Sequence, residues 1–184
     1  MRTAISGVLA LLLFGAGARA AEGDAAALAK AEAFVDAFYS FEPARLKPTL
    51  IDAPESAPVI LYYQGWAEGG NYRVLKRAPC RRTAPGEIAC AITVKDDLVP
   101  AAGVAFDVTD TFALTVRDGR IVAVRTSSDD PEPVRAAFER LFKEQPTLFE
   151  TGACKGFFAG GPTPGDCVRA VVAGFREQRA KAGG

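Results

Sequence analysis

Histidine is absent from all 184 residues, and that absence removes two chemistries at once. There is no imidazole to shuttle protons at neutral pH, and the usual nitrogen ligand for zinc is missing. The four cysteines contain no CxxC element, which argues equally against a thiolate zinc site. Net charge is lacking too: 22 basic residues balance 22 acidic ones, and no run of lysine or arginine exceeds two. Neither nucleic acid nor an anionic membrane meets an electrostatic footprint. After the first 20 residues no apolar run is long enough to cross a bilayer. Lys155 to Gly161 is glycine-rich but lacks the GK[ST] that cradles phosphate. No cofactor and no metal is expected.

What is present begins with a leader pattern. Arg2 forms a short basic head, ISGVLALLLFGAGA an apolar run, and Ala18-Arg19-Ala20 a small-x-small cleavage site. Residues 1–20 therefore read as a secretory signal peptide, with no cysteine after the cut to carry a lipid. Removing them, Arg2 and Arg19 included, leaves 164 residues with 20 basic and 22 acidic side chains, the size of one domain. The expected location is periplasmic or secreted, with no membrane contact after cleavage. In such a compartment an even number of cysteines reads as disulfides. Cys80 and Cys90 flank a turn at Ala84-Pro85-Gly86, and Cys154 and Cys167 bracket one Gly/Pro-rich loop. Local pairing is preferred among the three possible connectivities.

Leu28, Ala31, Val35, Phe38 and Tyr39 recur at helical spacing across Ala25 to Phe41, with Asp24 as N-cap. Pro48 limits Ala44 to Ile51 to about a turn. Pro58 suits a first helical position, and from it Val59, Tyr62, Tyr63 and Trp66 share one face. A strand over Val59 to Tyr63 is the rival reading, since β-branched and aromatic residues crowd there. Asn71 to Arg82 and Glu87 to Lys95 read as antiparallel strands with Cys80 opposite Cys90. Asp130 caps a helix burying Val134, Phe138, Leu141 and Phe142, and Asp166 caps a last one burying Val168, Val171, Val172 and Phe175. Asp129, Asp130 and Glu132 are read as helix-end acids rather than a calcium site.

The clearest element is the hairpin Val104 to Ser128, turning at Asp118-Gly119, which supplies the positive φ values a two-residue loop needs. Uninterrupted pairing sets Phe112 opposite Arg125 and Asp110 opposite Ser127, bringing Asp110 diagonally within reach of Arg125. The other face, Thr109, Thr111 and Ala113 against Val122, Val124 and Thr126, is flat and semi-polar, suited to solvent or to a second copy of the chain.

Helices first, then a meander of about four strands ending in a DG hairpin and an Asp: this order resembles the nuclear transport factor two-like superfamily. The residues that carry the resemblance are Ala33-Phe34-Val35-Asp36-Ala37-Phe38, Phe112 to Val116, Asp118-Gly119-Arg120-Ile121 and Asp129. It covers about Ala25 to Phe142. It implies an α+β fold in which a curved antiparallel sheet wraps around helices, a cone-shaped pocket between them, and frequent dimerisation through the sheet. The expected layout is a signal peptide (1–20), the family domain (21–145) and a disulfide-stapled helical extension (146–184). Family members include ketosteroid isomerases, polyketide cyclases, dehydratases and non-catalytic binding modules, so fold does not choose among functions. Phe38, Tyr62, Tyr63, Trp66, Phe112, Leu114 and Arg125 are the candidate pocket residues, although helical spacing alone makes the aromatic ones core. Asp110 interrupts an apolar alternation and is the candidate catalytic base, weighed against a plain rim pair with Arg125. The expectation is an exported, non-catalytic module holding a small apolar ligand or a partner protein, possibly as a homodimer. The alternative is a cofactor-free isomerase, cyclase or dehydratase using Asp110.

Overall fold

The computed structural model describes residues 12–183. The basic head and the start of the apolar run of the expected signal peptide, residues 1–11, lie outside the described residues. From there the chain forms helix α1 (Leu12–Phe38), so helix runs back through the predicted cleavage point, and Asp24 lies within it rather than capping it. Phe34, Val35 and Phe38 are completely buried on its inner face. Phe41, with φ 56°, turns the chain out of this segment. A short helix α2 (Pro43–Leu46) and a 3-10 turn (Lys47–Leu50) follow. Helix α3 (Ala57–Gly69) has its proline in the first turn, so helical periodicity prevails over the strand propensity of Val59 to Tyr63. Gln64, buried in α3, donates to the main-chain carbonyls of Ala37 (3.0 Å) and Phe38 (2.9 Å) and locks α3 onto the end of α1.

The sheet is antiparallel and has five strands: β1 (Arg73–Arg77), β2 (Arg81–Ala84), β3 (Glu87–Lys95), β4 (Val108–Arg117) and β5 (Arg120–Ser128). β1 and β2 pair with different stretches of the same edge of β3, so the order across the sheet is β1/β2, β3, β4, β5. The single strand expected over Asn71 to Arg82 is thus broken at Ala78-Pro79-Cys80, where proline cannot donate to a ladder. Helix α4 (Leu98–Ala101) lies in the connection before β4, its amides at Leu98 and Val99 donating to buried Asp96. Helices α5 (Glu132–Glu144), α6 (Pro146–Glu150) and α7 (Pro164–Ala182) complete the chain. α7 packs on α3, α4 and α5, burying Val168, Val171, Val172 and Phe175 in the same continuous core that holds the sheet residues. It starts at Pro164, and Asp166 stands inside its first turn, paired with Arg169 at 2.6 Å.

Two disulfides join Cys80 to Cys90 and Cys154 to Cys167, leaving no free cysteine, the local pairing expected. They point to an oxidising compartment. Among the described residues no helix is long and apolar enough to cross a membrane.

The hairpin turn forms as expected, with Asp118 at φ 49° and Gly119 at φ 69°, but the register beyond it does not. Val116 pairs with Ile121 and Thr115 with Ala123, so Val122 is an extra residue in a β-bulge. A one-residue slip turns every later side chain to the opposite face. Val124, Thr126 and Ser128 therefore point inward, while Ala123, Arg125 and Ser127 point outward. The main-chain N–H of Val124 donates to Ser56 Oγ (3.0 Å), fastening β5 to the start of α3 just past the bulge.

Candidate functional site

The bulge decides the fate of Asp110. Its partner across the ladder is Ser128, not Ser127, and Arg125 faces Ala113 from the exposed side of the sheet. The expected rim pair between Asp110 and Arg125 does not form, and Arg125 is not a pocket residue. Asp110 is instead completely buried. Its Oδ1 accepts from the hydroxyls of Tyr63 (2.5 Å) and Ser128 (2.7 Å), and its Oδ2 from Tyr39 (2.9 Å). Burial pushes its carboxyl above the ordinary range while the three hydroxyls pull it back. The two tyrosines are pushed well up in turn, by burial first, then for Tyr39 by the Asp110 charge and for Tyr63 by Tyr72 and Asp110. Three places supply these donors: the residue just past α1, the middle of α3 and the last residue of β5. Gln64 fixes the first two relative to each other.

On the far side of Tyr63 and Ser128 opens a cavity of about 280 Å³. Tyr62, Tyr63 and Trp66 of α3 form one wall, with Val59 at its mouth. Phe138 and Phe157 form another, and Tyr72 and Leu98 close the end nearest the sheet. Trp66 lies 5.1 Å from Phe157 and 6.3 Å from Phe138, ring centre to ring centre. The polar lining is sparse: Thr126, Ser128 and Asp130. Of the candidate pocket residues, Tyr62, Tyr63 and Trp66 line the cavity. Phe38, Phe112 and Leu114 do not. All three are completely buried in the core, and Phe38 and Phe112 back Tyr63 with ring centres at 5.3 and 6.3 Å.

Sequence reasoning missed Asp130. Its acidic neighbours suggested a helix cap, but α5 starts behind Pro131 with no side-chain cap, and Asp130 turns into the cavity. Its carboxyl is raised to about 6, by burial first, then by repulsion from Asp110, Asp96 and Asp129, with Arg135 opposing. Asp129 has a separate job, accepting the Thr109 N–H at 2.6 Å across the end of the β4–β5 ladder. Thr126 was also missed, because only the bulge turns it inward. Two hydroxyls on the lining have no hydrogen-bond partner among the described residues: Thr126 Oγ1 and the phenol of Tyr62. Tyr62 is 7% exposed, and burial pushes its phenol up to about 12.

Among the described residues no group of acids, cysteines or histidines is arranged to hold a metal ion. The arrangement can enclose a small apolar body and meet it with hydroxyls and one carboxylate. Asp110 is separated from that space by the residues it binds, so its role there is to orient Tyr63 and Ser128. Compared with protein-family models, curated proteins and solved structures, the chain matches none.

Proposed function

We propose that the protein is an exported, non-catalytic module of the nuclear transport factor two-like kind, holding a small, largely apolar ligand in the cavity between α3, α5 and the end of β5. The observation that carries this reading is the separation of the buried acid from the cavity. Asp110, the candidate base, has both oxygens engaged behind the cavity wall, while the wall is mostly aromatic and aliphatic with a few polar groups, the usual make-up of a small-ligand site. Helices preceding an antiparallel sheet and the DG hairpin ending near Asp129 support the family assignment. The outward face of β3 and β4, with Ala89, Ala91, Thr93, Thr109, Thr111 and Ala113 half-exposed, suits a homodimer, which light scattering tests.

Trp66, the single tryptophan, lines the cavity and reports on it. Titration with neutral, cationic and anionic aryl compounds should shift its emission saturably for at least one class. A flat response to all three overturns the ligand-site reading.

A second reading keeps a cofactor-free isomerase, cyclase or dehydratase but moves the base from Asp110 to Asp130. What favours it is a carboxyl raised to about 6 facing an apolar space beside tyrosine hydroxyls, a setting suited to general base work. Turnover of a ketosteroid, enone or hydroxy-acid substrate that is lost in Asp130→Asn and kept in Asp110→Asn would replace binding with catalysis.

A further inference from the structure

We infer that the cavity selects an organic cation, a small ammonium compound with an aryl or alkyl body, with Asp130 as its counter-ion and the Trp66 and tyrosine rings as its walls. The inference rests on the reading of the cavity as a ligand site and adds the charge of the ligand.

Four observations lead to it. Among the described residues Asp130 is the one charged side chain on the lining. Two further acids, Asp96 and Asp110, are buried close enough to repel it. Among the described residues no basic group forms a salt bridge with any of the three. Arg135, the nearest cation, directs its guanidinium to the main-chain carbonyl of Asp130, not to its carboxylate. A site of this kind repels carboxylate and phosphate ligands and attracts a positive one. The aromatic lining agrees, since the electron-rich faces of tryptophan and tyrosine attract cations that have shed their water. The Tyr62 phenol, nine-tenths buried on the lining, and Thr126 Oγ1 present oxygens that none of the described residues satisfies. Buried hydroxyls are ordinarily hydrogen-bonded, and an ammonium N–H or polarised N–CH₃ supplies what they lack.

The ionisation of Asp130 gives a second handle. The groups facing it are Asp110 on β4, Asp129 after β5, Asp96 before α4, Arg135 on α5 and Tyr72 before β1. The sum is negative, which keeps part of the Asp130 population protonated below about pH 6. A permanently charged ligand should therefore bind better as the pH rises through 6, and a neutral one should not respond.

The test compares benzyltrimethylammonium with its uncharged isostere neopentylbenzene and with phenylacetate, following Trp66 emission of the full protein. The expected result is at least tenfold tighter binding of the ammonium than of neopentylbenzene at pH 7.5, no binding of phenylacetate, and loss of the ammonium preference in Asp130→Asn with neopentylbenzene affinity kept. If Asp130→Asn does not fold, the wild-type pH series decides: ammonium affinity should fall several-fold between pH 7.5 and 5 while that of neopentylbenzene stays level. Equal binding of ammonium and isostere, or tighter binding of phenylacetate, overturns the cation inference and leaves the ligand site standing. Binding of none of the three overturns the ligand site itself.

Discussion

The edge where α1 meets β1 and β2 and the cavity beside α3 treat acidic side chains in opposite ways. At the edge Glu32, Asp36 and Asp24 each have a base: Arg77 reaches Glu32 at 2.5 Å and also Asp36, and Arg82 reaches Asp24. At the cavity Asp96 and Asp110 accept from N–H and O–H groups, and among the described residues none of Asp96, Asp110 and Asp130 has a salt-bridge partner. Both regions are built on the same sheet, so the difference is not one of fold. Paired surface charges contribute little and cost little, whereas an uncompensated carboxyl in an apolar space is an expense that folding alone does not require. Clusters of groups with displaced pKa values mark functional sites for this reason.

The sharpest way to separate the two regions is through the disulfides. Reducing either short loop to serines should cost roughly 3 kcal/mol in thermal or denaturant unfolding. Replacing Cys154 and Cys167 should also weaken Trp66-reported binding, because Phe157 of the cavity wall lies in that loop. Replacing Cys80 and Cys90, at the paired edge, should leave binding unchanged. Tyr63→Phe comes next. It withdraws a donor from buried Asp110, and a hydrogen bond to a charged group is worth about 1.5 to 3 kcal/mol. The loss should appear in urea unfolding and should exceed that of Tyr62→Phe, whose phenol has no partner among the described residues.

Asp130→Asn should act in the opposite direction. A carboxyl raised from 3.8 to about 6 binds its proton more readily in the folded chain than in the unfolded one. Its ionisation thus lowers stability progressively as the pH rises from about 4 to 6, and the cost is fully present above 6. The ceiling is roughly 3 kcal/mol, and partial exposure to solvent brings the expected gain to about 1 to 2 kcal/mol. The variant should be more stable than wild type at pH 7.5 and indistinguishable from it near pH 3.5. Smallest of all is Arg77→Ala, which removes partly exposed ion pairs and should cost about 1 kcal/mol or less, with no change in binding.

The paired edge and the cavity also differed in how far they could be read from sequence. The DG turn, the inward alternation Phe112, Leu114, Val116, the helical stripe of α1 and both cysteine pairs follow from local pattern, because each depends on neighbours a few residues away. So does the face of α3 that carries Tyr62, Tyr63 and Trp66. The site beyond these depends on Val122. A single bulged residue has no signature in an alternating stretch such as IVAVRTSS, yet it reverses Val124, Thr126 and Ser128, and with them the partner of Asp110. Uninterrupted pairing puts Arg125 in the pocket and keeps Thr126 and Ser128 out of it; the bulge exchanges them. Asp130 was hidden differently: an acid before a proline-led helix looks like a cap, and only the packing of α5 against α3 shows that it faces a cavity.

The central claim is that Asp130, with no salt-bridge partner among the described residues, faces the cavity as the counter-ion for a cation. Its side-chain carboxyl carbon, followed by NMR between pH 3 and 8, tests this directly. The expected midpoint is about 6 in the free protein, moving down toward the ordinary 3.8 when benzyltrimethylammonium is added. A midpoint already near 4 without ligand, or one near 6 that saturating ammonium leaves in place, would contradict the account.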